Sequence, residues 1–193
     1  MKYNPELHHR RSIRLPGYDY SQPGAYFVTV CTHNGELLLE SATAQGAALA
    51  AWQELPTRFP TLALDEFVIM PNHVHGIVIL GAGRSLRDAA SRKGAASHAP
   101  TKRVRPTLGE VVLAFKSLSA IKLNAILKRT GLRFWQRNYY EHVIRDEDEL
   151  SRVRQYIRDN PLRWGEDPDN PLEPVGARLA APSLLCAADH RSP

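Results

Sequence analysis

Cysteine is nearly missing from this chain: Cys31 and Cys186 are the only two in 193 residues. They lack CxxC spacing, so neither a disulfide framework nor a cysteine-rich zinc module is supported. Long apolar runs are missing too. No stretch approaches the roughly 20 residues that a membrane helix needs. The segment Met1-Lys2-Tyr3-Asn4-Pro5 has none of the apolar character of a signal peptide. The expectation is a soluble, cytoplasmic protein in a reducing compartment, with no membrane partner. The chain is also shorter than the roughly 250 residues of a TIM barrel, which argues against the barrel metallohydrolases. It contains no internal repeat.

What is present is the composition of a folded domain, with 43% hydrophobic and 23% charged residues. The net charge is +5, and the excess is local. Arg84, Arg87, Arg92, Lys93, Lys102, Arg103 and Arg105 stand against Asp88 alone. Such a stretch suits a polyanion, although a solvated basic loop has the same composition. Residues 81–106 therefore read as a flexible basic insertion within one domain spanning residues 1–167. The prolines beyond Trp164 mark residues 168–193 as an irregular Pro-rich tail.

The order of elements follows from hydrophobic pattern and turn chemistry. Tyr26-Phe27-Val28-Thr29-Val30-Cys31 reads as a strand ended by Asn34-Gly35. Ala42 to Leu55, with Leu49, Trp52 and Leu55 at helical spacing, reads as a helix stopped by Pro56. Phe67 to Met70 and Val74 to Leu80 read as two strands joined tightly through Pro71-Asn72. Thr107-Leu108-Gly109-Glu110 resembles a capping box opening a long amphipathic helix that ends near Gly131. Phe134-Trp135 and His142-Val143-Ile144 are short strand candidates. Asp146 caps a last helix ending before Pro161. This order predicts an α+β fold with an antiparallel sheet whose helices cover one face.

Two features carry chemistry. His73-Val74-His75 opens a strand, and residues two apart on a strand point the same way, so two imidazoles can grip one ion. On the last helix Tyr156 and Asn160 lie about 40° apart in projection, at one edge of the stripe Leu150, Val153, Ile157. A phenol with a pKa near 10 attacks poorly at neutral pH unless its target phosphate is strongly polarised. A divalent ion on His73 and His75 would supply that, with the Asn160 amide oxygen completing a mixed site. Such a donor set suits Mn²⁺, and abundance favours Mg²⁺. Arg152, four residues before Tyr156, offers positive charge to the same face.

With these residues in hand the sequence resembles the REP-associated tyrosine transposases, within the single-tyrosine HUH transposases of the insertion-sequence-200 type. The marks are Tyr26-Phe27-Val28-Thr29-Val30, Met70-Pro71-Asn72-His73-Val74-His75, Ala114-Phe115-Lys116-Ser117, Phe134-Trp135-Gln136-Arg137, His142-Val143-Ile144-Arg145 and Tyr156-Ile157-Arg158-Asp159-Asn160-Pro161. The resemblance runs from about Arg10 to Trp164. It implies a ferredoxin-like sheet of the HUH endonuclease type, with His73, His75 and Asn160 as metal ligands and Tyr156 as nucleophile. It also implies a metal-dependent endonuclease and strand transferase acting on single-stranded or hairpin DNA of repetitive extragenic palindromes. The covalent product would be a 5′-phosphotyrosine, the enzyme a monomer or homodimer, and its location the bacterial cytoplasm with nucleoid DNA. Long basic insertions such as residues 81–106 are not a fixed part of this pattern, so the resemblance gives that segment no role.

Lys116, Trp135, Gln136, Arg137 and Arg152 are the further candidates for DNA contact. Each has a plainer role: a solvated lysine, a buried tryptophan, surface charge. Tyr139 and Tyr140 are rival nucleophiles by type, and His142 is a rival base or a hydrogen-bonded structural residue. The alternative function is a catalytically idle hairpin-binding regulator. A zinc hydrolase built on the two histidines and Cys31 would need a third-ligand motif and a water-activating carboxylate, and neither is recognisable.

Overall fold

In the computed structural model, which describes residues 17–81, 105–166 and Asn170, the apolar, β-branched runs build one four-stranded sheet. Its strands are β1 (Gly24–Cys31), β2 (Leu62–Ile69), β3 (His73–Leu80) and β4 (Tyr140–Ile144). They lie in the order β2-β3-β1-β4, and each neighbouring pair is antiparallel. With helix α1 (Ala42–Gln53) between β1 and β2, and α3 (Leu108–Ile126) between β3 and β4, the path is the split β-α-β of a ferredoxin-like fold. The expected α+β class and sheet are present.

The helix layer differs from expectation. Tyr26, Val28, Val30, Val74 and Val78 point to one face, where α1 and α3 pack. Phe27 and Ile77 point to the other, where Leu150 and Ile157 of α4 (Glu147–Asp159) cover them. Both faces of β1 and β3 are therefore apolar, and the helices lie on two faces instead of one. The physical reason is the near-continuous hydrophobic run of these central strands, which needs cover on both sides.

Several local expectations are refined. Pro56 does not end the helical region; it sits in the first turn of a short helix α2 (Leu55–Arg58), where its missing N–H has no partner to lose. The buried stripe of α1 is Ala44, Ala48, Ala51 and Trp52, while Leu49 is exposed. Small residues there let α1 approach the sheet. The capping box of α3 is present, with Thr107 and Glu110 serving each other's backbone N–H. Its buried side includes Val111, Val112, Phe115 and Leu123, but Ile121 and Ile126 are exposed. Phe134-Trp135 forms no strand, only an isolated bridge from Trp135 to Thr32.

Two irregularities prepare the site. The two-residue hairpin Pro71-Asn72 brings Met70 N–H to within 2.8 Å of His73 O, so His73 begins β3. In β2 a bulge between Leu64 and Phe67 absorbs one extra residue and holds Asp65 and Glu66. Leu64 and Phe67 thereby face the same core although they are three apart. Residues 82–104 of the expected insertion, and the expected tail apart from Asn170, lie outside the described residues. Among the described residues no helix is long and apolar enough to cross a membrane.

Candidate metal and nucleophile site

Strand periodicity sends His73 and His75 to the α4 side of β3, and both are buried. Their Nε2 atoms stand 3.0 Å apart. Each Nδ1 is held from behind: His73 Nδ1 lies 2.7 Å from Asn72 Oδ1, and His75 Nδ1 lies 2.8 Å from Thr29 Oγ1. An amide oxygen only accepts, so His73 carries its proton on Nδ1 and turns the Nε2 lone pair toward the site. The Nε2 contact then takes the His75 Nε2 proton, and the Thr29 hydroxyl donates to His75 Nδ1. A hydroxyl can also accept, so Thr29 serves the tautomer in which His75 offers Nε2 to an ion.

Burial pushes the His73 pKa down to about 4. His75 is pushed well below its usual value, first by burial and then by the neighbouring His73. Both imidazoles are thus neutral, the form that binds metal. Two neutral imidazoles with their Nε2 atoms 3.0 Å apart could serve one ion as donors. Among the described residues no group of three His, Cys, Asp or Glu side chains could hold a metal. A third protein ligand would have to be another oxygen donor, and Asn160 is buried at the end of α4.

Helix α4 carries Tyr156 over this pair. Asp146 caps its first turn by accepting from Glu149 N–H, and Glu147, Asp148 and Glu149 complement the dipole. The Tyr156 ring lies 5.5 Å from the His75 ring and 5.9 Å, edge-on, from Phe27. It is 39% exposed, so a bound strand can reach it. Phe27 stacks on His75 at 5.4 Å, and Trp164 flanks His73 at 6.1 Å. His73, His75 and Tyr156 therefore gather on one face of the sheet, and Asn160 is buried at the C-cap of the helix that carries Tyr156.

The other candidates divide differently. Lys116 donates to the carbonyls of Gln136, Arg137 and Asn138 at 2.9, 3.2 and 2.8 Å, with its ammonium over the Tyr139 ring. Burial lowers its pKa to about 8, while the three carbonyls favour the charged form. Its protons are spent on the chain. Trp135 is buried and donates through Nε1 to Ser119 Oγ at 2.9 Å. Gln136 N–H bonds Cys31 O at 2.9 Å, and its Nε2 is buried without an acceptor. Arg137 and Arg152 are exposed, Arg152 one turn before Tyr156. Tyr140 shares the site's face, in register with Thr29, but burial raises its pKa, the wrong direction for a nucleophile. His142 binds Glu149 at 2.7 Å, a tie between β4 and α4.

Sequence reasoning missed Asn72, Thr29, Phe27 and Trp164. The first was legible as the polar residue before His-x-His; the others reach the site only through strand pairing or the turn after α4.

The sheet order and helix placement define an α+β, ferredoxin-like class, and the fold is shared with a solved tyrosine transposase. The solved structure of the REP-associated tyrosine transposase bound to a REP hairpin matches 93% of this chain and 98% of its own, with a TM-score of 0.51 and 18% identity. No family model matches the sequence. The chain belongs to one family with an uncharacterized protein of Haemophilus influenzae (strain ATCC 51907 / DSM 11121 / KW20 / Rd). That relative is 38% identical over 176 residues, which cover 86% of this chain and 96% of the relative.

Proposed function

We propose that this protein is a metal-dependent endonuclease and strand transferase of the REP-associated transposase type, acting on single-stranded or hairpin DNA. The observation that carries the reading is the Tyr156 ring 5.5 Å from His75, in the same chain. His73, His75 and Asn160 would hold Mg²⁺ or Mn²⁺, which when bound polarises the scissile phosphate and draws charge from it in the transition state. Tyr156 Oη attacks phosphorus in line; the P–O3′ bond breaks, and the phenolic proton passes to solvent. The 5′ phosphate stays on Tyr156, and the leaving oxygen takes a proton to become a 3′-hydroxyl. Attack by another 3′-hydroxyl reverses the step and joins strands. Phe27 fixes the His75 ring, and Arg152 adds positive charge on the tyrosine's side of α4. The nearness of Tyr156 to His75 within one chain supports a monomer as the working unit, with a homodimer the alternative. The reading carries with it a place beside nucleoid DNA in the cytoplasm.

The test is a hairpin oligonucleotide with a single-stranded flank, incubated with Mg²⁺ or Mn²⁺ and resolved under denaturing conditions. A covalent adduct is expected from the unaltered protein and none from Tyr156→Phe. An adduct formed at the normal rate by Tyr156→Phe overturns the nucleophile. Tight hairpin binding with no cleavage in either metal would instead make the protein an idle hairpin-binding regulator.

A further inference from the structure

We propose that two ion pairs between α4 and the bulge of β2, Arg154 with Asp65 and Arg158 with Glu66, set the roll of the tyrosine helix and thereby the place of the Tyr156 hydroxyl. The inference rests on the function proposed above. Arg154 grips both Asp65 oxygens, Nε to each at 3.1 Å and Nη2 to Oδ2 at 2.7 Å. Arg158 reaches Glu66 Oε1 through Nε at 3.0 Å and through Nη2. On a regular strand the neighbours Asp65 and Glu66 would point to opposite faces, but in the bulge both reach arginines of α4, and Asp65 Oδ1 also accepts from Glu66 N–H at 2.8 Å. The acids therefore present a rigid pair to arginines one turn apart.

The placement on the helix explains the effect. At about 100° per residue, Arg154 and Arg158 lie within about 40° of each other, while Tyr156 lies about 160–200° away from both. The apolar stripe of Leu150, Val153 and Ile157 falls between the two flanks. This stripe seats the helix on the sheet, but aliphatic contacts have no direction and resist rolling weakly. The arginines fasten the β2 flank, so Tyr156 on the opposite flank cannot lift or sink. A tyrosine hydroxyl stands roughly 9 Å from its helix axis, so a roll of about 20° moves it about 3 Å. Displacement of 1 Å at a reacting atom costs up to about 100-fold in rate.

The two pairs are unequal. Asp65 and Arg154 are 15% and 31% exposed, against 27% and 58% for Glu66 and Arg158. The first pair is better shielded from solvent and bidentate, so it is the principal fastening. The guanidinium of Arg154 accordingly holds the Asp65 carboxyl below its ordinary range. None of these four residues touches the reacting atoms; they act through Tyr156 as positioning residues.

The test compares the unaltered protein with an Asp65→Asn/Glu66→Gln double variant, using the hairpin oligonucleotide and Mn²⁺. Hairpin affinity is expected to stay within about twofold while the adduct-forming rate at saturating DNA falls about 10–100-fold. A charge-swapped Glu66→Arg/Arg158→Glu variant should keep most of the rate. A second readout needs no turnover: the nuclear Overhauser contact between the Tyr156 and His75 rings should weaken in the double variant and persist in the swap. A folded double variant with an unchanged rate and unchanged ring contact overturns the proposal. If the unaltered protein forms no adduct, the proposed function fails, and the ring contact still decides the positioning claim.

Discussion

Asn72 Oδ1 stands 2.7 Å from His73 Nδ1, and this contact decides which nitrogen of the first histidine faces the candidate metal position. Thr29 does the same for His75 from the neighbouring strand. Asn72→Ala and Thr29→Val should each weaken Mn²⁺ binding by about 10–100-fold, as loss of such supporting hydrogen bonds does at other metal sites. Calorimetric titration of the DNA-free protein measures this directly. Unchanged affinity in both variants would mean that the imidazoles are oriented by packing alone.

Lys116 is expected to matter for stability and not for DNA. Lys116→Met strips the charged donor from three carbonyls of the loop before β4, at a cost of about 2–3 kcal/mol. Chemical denaturation should show that loss, with hairpin affinity unchanged. The opposite outcome, normal stability and weakened binding, would return Lys116 to a phosphate contact.

Acid should destabilise the protein early. The folded-state pKa of His73 is about 4 against 6.5 for the free side chain, so the unfolded chain binds more protons between those values. Stability is full above about pH 6.5 and declines as pH falls toward 4, and His75 acts in the same direction. The lowered Asp65 contributes in a separate window, below its ordinary value of 3.8. Thermal midpoints measured from pH 7.5 to 4.5 should fall more steeply for the unaltered protein than for His73→Gln/His75→Gln. Parallel slopes would show that the histidines are not buried neutral.

Trp164 is the one tryptophan not buried, and it flanks His73. Under the proposed function a DNA base next to the scissile phosphate would have this ring within reach. Trp164→Ala should weaken hairpin binding roughly 5–150-fold, with Trp164→Phe retaining most of it, because base stacking on an aromatic face is worth about 1–3 kcal/mol. Oligonucleotides carrying one abasic position at a time identify the partner: at that position the Trp164→Ala loss should vanish. An equal loss at every position would mean that the ring only packs.

Much of this arrangement could be read in the chain itself. Patterns of period two and 3.6 located the strands and helices, Thr107 and Asp146 announced their caps, and Pro71-Asn72 announced the hairpin. The candidates His73, His75, Tyr156 and Asn160 could be paired in the sequence because each pair lies on one element or at its cap, where spacing dictates facing. The layers were less legible. The near-continuous apolar runs of β1 and β3 call for cover on both faces but do not say which helix supplies it, so the place of α4 could not be read from them. Leu49 and Ile121 fit a helical stripe yet are exposed, since periodicity marks a face without saying where its neighbour ends.

Local residue chemistry thus settled which side chains could bind an ion or attack a phosphate, because that depends on donor type and near-neighbour geometry. The fold alone settled which of them meet. Strand pairing set Thr29 behind His75 across 46 positions, and the β2 bulge aligned Asp65 with Arg154 across 89. Such contacts arise from burying two apolar faces of one sheet at once, a constraint on the whole chain that no short window contains. That same constraint spent Lys116 on carbonyls and Trp135 on the core, although by residue type both were equally suited to DNA.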